Sequence, residues 1–136
     1  MDLQRWILVH ALRDQRYAND FVETMHKIGP PMGIKIYDPQ VICLRDENTD
    51  SYLRALREKI TESLQLVVIL FPTARDDRYS AVKKLCCADM PVASQVINSR
   101  TLSKPGRVRS VLQKIALQIN CKLGGSLWAV KIPMVS

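Results

Sequence analysis

Tyr79 and Lys83 stand four residues apart in "RYSAVKKLCCADMPVASQ" (78–95), and Gln95 heads the apolar run that follows. A spacing of four puts a phenol and an ammonium group on one helix face, about 6 Å apart along the axis. Gln118 and Lys122 repeat the spacing, with Lys114 one turn earlier. Ammonium, amide and phenol groups all donate hydrogen bonds, and a phosphate monoester needs several such donors converging on it. The tyrosine ring adds a surface for a base, a contact worth about 1 to 3 kcal/mol. Spacing alone leaves a plainer reading open, in which Tyr79–Lys83 is a half-exposed helix face and Lys114, Gln118 and Lys122 form a solvated stripe.

These residues can meet only if the elements carrying them do. "WILVHAL" (6–12) reads as a strand, and "ANDFVETMHKIG" (18–29) as a helix stopped by Gly29-Pro30-Pro31. "IKIY" (34–37) and "VICLR" (41–45) read as short strands separated by Asp38-Pro39. A helix over "NTDSYLRALREKITE" (48–62) turns Leu53, Leu56 and Ile60 to one side, with Thr49 or Asp50 as its cap. "LQLVVILF" (64–71) is a continuous apolar run of the kind parallel sheets bury. The helix of Tyr79 follows, then a strand over 92–98. A long helix over 107–123 carries Val108, Val111, Leu112, Ile115 and Ile119 as one stripe and stops at Gly124-Gly125. "LWAVKI" (127–132) reads as a last strand. Alternating strands and helices predict an α/β fold, Rossmann-like, with a largely parallel sheet and helices on both faces. In such folds ligands bind beyond the carboxyl ends of the strands. That points to the loop after residue 71 and to the helix holding Tyr79.

Length and charge narrow the function. The 136 residues, 47% of them apolar, suit a single domain over 1–136 with a real core. No apolar run reaches the length of a membrane span, and no leader pattern opens the chain, so a soluble intracellular domain is expected. All 13 acidic residues lie at or before Asp89, alongside 13 of the 20 basic ones. Arg100, Lys104, Arg107, Arg109, Lys114, Lys122 and Lys131 follow without a single acid, so the whole net charge of +7 sits in the last 47 residues. Such one-sided charge favours a polyanion partner, usually nucleic acid.

Other chemistries find little support. Cys43, Cys86, Cys87 and Cys121 make no CxxC pair, and His10 and His26 lie far from Cys86, so zinc is not expected. Adjacent Cys86-Cys87 in an apolar helical setting reads as packing rather than a redox pair. No Walker A or GxGxxG sequence occurs, and "KLGGS" is a helix stop rather than a phosphate cradle. The acid-free C-terminal third offers nothing for two-metal hydrolysis.

"LVVILFPTARDDRYSAVKKLCCADMPVASQVINSRTL", followed by "KIALQINCKLGGSLWAVKIP", resembles the MID domain of Argonaute proteins of the PIWI clade. The resemblance covers at least residues 41–133, and "WILVHALRD" with "PPMGIKI" extends it almost end to end. It implies a function: Tyr79, Lys83, Gln95 and Lys122, with Thr101 and Gln118, hold the 5′ monophosphate of a guide RNA, and the Tyr79 ring stacks on the first base. Other Argonautes carry a lysine where this chain has Gln118. PIWI proteins resemble this chain there, and use a magnesium ion near the phosphate. The resemblance thus implies Gln118 as a metal-linked residue in full-length proteins, where a carboxylate of the neighbouring PIWI domain also helps hold the ion. No cofactor is expected to be required by residues 1–136 alone, whose phosphate affinity should be lower.

The loop and helix start Thr73, Ala74, Arg75, Asp76, Asp77 and Arg78 match the place where family members inspect the first base, or serve to cap the helix. The implied function is non-catalytic anchoring of a piRNA 5′ end in RNA silencing, since slicing belongs to the PIWI domain. The implied partners are a 5′-phosphorylated small RNA and the PIWI domain of the same longer chain, with no membrane and a monomeric state. A cytoplasmic location follows by resemblance, perinuclear granules included. Two rivals stay open: a small α/β nucleotide-binding enzyme, and a protein-interaction module with a basic face.

Overall fold

The computed structural model describes residues 2–73, 76–104 and 106–124, the side chains of 76, 103, 116 and 118–124 excepted. In chain order the elements are β1 (Asp2–Leu3), β2 (Trp6–Ala11), α1 (Gln15–Ile28), β3 (Lys35–Ile36), β4 (Gln40–Leu44) and α2 (Thr49–Lys59). They continue with β5 (Leu66–Phe71), α3 (Asp76–Lys84), β6 (Ser94–Asn98) and α4 (Arg107–Gly124). Four strands form a parallel sheet in the order β4-β2-β5-β6. The sheet is covered by helices on both faces, which is the α/β class expected from the alternation of runs.

The most apolar strands, β2 and β5, take the centre because only there are both faces dry. Every residue of β5 is buried, and so is every residue of β2, His10 included. Alternation along the strands then sorts their side chains. Trp6, Leu8, Leu66, Val68, Leu70 and Ile97 meet Phe21 and Met25 of α1 and Val111, Leu112 and Ile115 of α4. Ile7, Val9, Val67, Ile69, Phe71 and Val96 meet Tyr52 and Leu56 of α2 and Val82 of α3. Burying a side chain of this size contributes about 1.5 to 3 kcal/mol. These two layers therefore dominate the folding free energy and fix which way each helix faces.

Several local expectations change. Only 35–36 of the run 34–37 forms a strand, and it pairs with β1 in a separate two-stranded ladder, Leu3 opposite Ile36. The Gln65 side chain holds that corner, accepting from the Gln4 and Arg5 amides and donating to the Asp2 carbonyl. Helix α1 begins three residues earlier than its apolar spacing suggests. The cap of α2 is Asn48 rather than Thr49 or Asp50, and it makes no side-chain capping bond. Asp46 ties down the approach to the helix, accepting from the Asn48 backbone N–H at 2.9 Å and the Ser51 hydroxyl at 2.7 Å. These hydrogen bonds, the Ser51 one foremost, hold the Asp46 carboxyl below its ordinary range. Helix α3 runs on into a π turn, Leu85–Asp89, closed by a Met90 N–H to Leu85 carbonyl bond of 2.7 Å. The expected strand over 127–132 lies outside the described residues.

Candidate functional site

Strand β6 is the last strand of the sheet among the described residues, so one of its backbone edges faces away from β5. The Ala93 carbonyl accepts from Val67 across the ladder, and carbonyls alternate in direction along a strand, so the Ser94 carbonyl points outward. Lys83 of α3 reaches that outer edge. Its Nζ donates to the Ser94 carbonyl at 3.3 Å and to the Ser94 hydroxyl at 3.2 Å. The same ammonium lies 6.0 Å from the centre of the Tyr79 ring, as the four-residue spacing requires. Tyr79 and Lys83 are both half-buried. Gln95, the residue after Ser94, is 2% exposed. It shares the strand face of Ile97, which α4 covers, whereas α3 packs on the opposite face with Val96. The tyrosine and lysine therefore approach β6 from one layer and the glutamine belongs to the other.

Gln118 and Lys122 belong to α4, whose Val111 and Ile115 pack in Gln95's layer. Their side chains lie outside the described residues, as does that of residue 116. Lys122 stands 15 residues beyond Arg107, about 22 Å along the helix axis. Thr101 sits elsewhere, in a 3-10 turn beyond the carboxyl end of β6. Its hydroxyl donates to the Asn98 carbonyl at 2.7 Å. Four strand residues, about 13 Å, separate that end from Ser94, so Thr101 is not beside Lys83.

Phe71 pairs in register with Asn98, so the segment after β5 shares the carboxyl edge of the sheet with Thr101. Thr73 is half-buried there and Asp77 exposed. Ala74 and Arg75 lie outside the described residues, as does the Asp76 side chain. Arg78 departs from its expected role. It is 2% exposed, with its guanidinium over the rings of Phe71 and Tyr52, and so faces the core rather than a base at the surface.

Electrostatics follow from depth. Burial, first of all, pushes the Lys83 ammonium below its ordinary value of 10.5, with the neighbouring Cys87 and Cys86 acting weakly the other way. Burial also pushes the Cys86 thiol up to about 11, which makes it a poor nucleophile and supports the packing reading. No carboxylate is among the groups acting on Lys83, and no three His, Cys, Asp or Glu residues converge among the described residues. The donors at this edge suit an anion.

Four of the seven basic residues that carry the surplus charge lie together. Arg100, Lys104, Arg107 and Arg109 are exposed around the turn after β6 and the start of α4, whose first turn holds no acid. Ser94 was missed by sequence reasoning. Its only signal was a hydroxyl residue standing directly before Gln95 at the start of the strand.

A family profile described as Piwi domain matches residues 66–136, just over half the chain. The Piwi-like protein Ago3 of Bombyx mori is 51% identical over all 136 residues, and the chain spans 15% of its length. Among solved structures, Drosophila Piwi is similar at a TM-score of 0.79 and 30% identity, over 90% of this chain and 17% of that one. The Arabidopsis thaliana AGO5 MID domain is similar at a TM-score of 0.64 over 91% of both chains, and at 20% identity it speaks for the fold alone. The chain belongs to the PIWI clade of the Argonaute family, and its sheet and helices are those of a MID domain. No helix among the described residues is long and apolar enough to cross a membrane.

Proposed function

We propose that this domain anchors the 5′-phosphorylated end of a small guide RNA, a piRNA, without catalysing a reaction on it. Lys83, Gln95 and Lys122 hold the phosphate, the Tyr79 hydroxyl adds a donor, and the Tyr79 ring takes the first base. One observation carries the reading: a half-buried ammonium beside a tyrosine ring, fixed to the outer edge of β6 next to Gln95. A partly desolvated cation attracts a phosphate more strongly than one in open water. The Ser94 oxygens that Lys83 bonds are neutral, and an anionic phosphate oxygen is the better acceptor for an ammonium group. The exposed basic residues after β6 supply attraction for the nucleotides that follow.

The deciding experiment titrates the chain with one RNA carrying either a 5′ phosphate or a 5′ hydroxyl. The phosphorylated form is expected to bind more tightly and to be recovered intact. Equal affinity would remove the anchoring role, and turnover of the RNA would favour an enzyme.

A further inference from the structure

Arg78 immediately precedes Tyr79 in α3, and it ranks among the largest fully buried side chains. Its guanidinium carbon lies 5.0 Å from the centre of the Phe71 ring and 5.7 Å from that of Tyr52. Those two rings meet edge to face at 5.0 Å. Arg78 thus joins the start of α3 to the end of β5 and to α2. Its Nε and Nη1 have no hydrogen-bond partner among the described residues. Asp14 Oδ2 has none either, although Asp14 Oδ1 accepts from the Ser99 hydroxyl at 2.8 Å.

Stability does not account for an arginine in this seat. A buried charge with two unpaired donors carries a desolvation penalty that an apolar side chain of similar length avoids. What arginine brings is a rigid plane that stacks on aromatic faces in few orientations. Neighbouring helix positions differ by about 100°, so fixing the direction of residue 78 fixes that of residue 79. Val82, one turn on from Arg78, is fully buried on the same stripe, while Lys83, one turn on from Tyr79, reaches β6.

We infer that Arg78 is a positioning residue for Tyr79: its buried guanidinium sets the rotation of the first turns of α3, and with it the angle at which the Tyr79 ring meets the first base. The inference rests on the 5′-end reading of Tyr79 and Lys83. It adds that the strength of base contact is set from beneath, by a side chain that touches no RNA.

The test compares the parent chain with Arg78→Met, Arg78→Lys and Lys83→Met. Uridine 5′-monophosphate is titrated into each, with inorganic phosphate as the ring-free control, and melting temperatures are recorded. Arg78→Met is expected to melt no lower than the parent and to bind inorganic phosphate equally well. It should bind the nucleotide about three- to tenfold more weakly, the scale of coupling between neighbouring residues. Arg78→Lys, which keeps the cation but not the plane, should fall between. An Arg78→Met variant that binds the nucleotide like the parent overturns the inference, and so does one that fails to fold, since either makes Arg78 a core residue and nothing more. A parent that binds neither probe, or whose phosphate affinity survives Lys83→Met, overturns the 5′-end reading and this inference together.

Discussion

Lys83 of α3 donates to the outward backbone carbonyl of Ser94, 11 residues further along the chain, and so ties the helix of Tyr79 to the outer edge of β6. That bond places an ammonium group one residue from Gln95 while leaving it half-buried. The proposed site would therefore run along the side of the sheet, from the carboxyl end of β5 to the amino end of β6, rather than only in the crevice beyond the strand ends.

Lys83→Ala and Lys122→Ala should each weaken binding of a 5′-phosphorylated RNA by about 1.5 to 3 kcal/mol, the worth of a charge-assisted hydrogen bond. Isothermal titration of the folded variants measures this. If both bind like the parent, the phosphate sits elsewhere.

Tyr79→Phe should keep the stacking surface and lose one donor, whereas Tyr79→Ala loses both. The alanine variant is expected to bind a nucleoside monophosphate more weakly than the phenylalanine one, by about 1 to 3 kcal/mol. Equal losses would leave the hydroxyl as the whole contribution.

Lys83 also predicts a pH dependence. Burial holds its folded-state value below 10.5, so its charge is lost at lower pH than that of an ordinary lysine. A bound phosphate favours the charged form and raises the value again. Phosphate affinity should therefore fall as pH rises through the lowered value toward 10.5. Without ligand the sign reverses: the unfolded chain holds this proton more tightly, so stability contributed by Lys83 rises over the same window. Lys83→Arg should flatten the affinity profile, and an unaltered profile in a folded, binding-competent variant would take Lys83 out of the site.

Gln118→Lys should tighten phosphate binding in metal-free buffer. A phosphate near neutral pH carries close to two negative charges, and Gln118 offers it a dipole where a lysine would offer a charge. Gln118 lies one turn before Lys122, so the new ammonium enters the same stretch of helix surface. Repulsion between the two lysines costs some stability in the free protein and is relieved once phosphate binds. Unchanged or weaker binding by a folded variant would mean that Gln118 does not face the phosphate.

Gly29→Ala should lower the melting temperature. A methyl group there would stand 2.6 Å from Ile36 Cγ1 and 2.9 Å from the Ile34 carbonyl oxygen. The carbonyl is backbone and cannot step aside, so a cost of about 1 to 3 kcal/mol is expected for this overpacking. Thermal unfolding of the variant reads it directly, and an unchanged midpoint would show that the α1–β3 corner has room to yield.

The sequence by itself determined what is local. The continuous apolar run of β5 announces a strand dry on both faces, the mainly apolar run of β2 announces a strand, and the stripe of Val111, Leu112 and Ile115 announces a helix packed on one side. The spacing of Tyr79 and Lys83 already places a ring and an ammonium on one face, since helix geometry needs only the interval. Residue types and the acid-free C-terminal third pointed to a polyanion for a similarly direct reason: charge is a property of composition. Tertiary structure alone decided the rest. It put β3 outside the main sheet, turned Arg78 inward beneath two rings, carried Thr101 to the far end of β6, and set Gln95 and Lys83 in opposite layers meeting at one strand. Periodicity says which face of an element is apolar, but not what will lie against it or how deep a neighbouring polar group will sit. Depth is what lowers the Lys83 proton affinity and leaves Arg78 short of partners, and depth is fixed by α3 packing against strands that are distant in the chain.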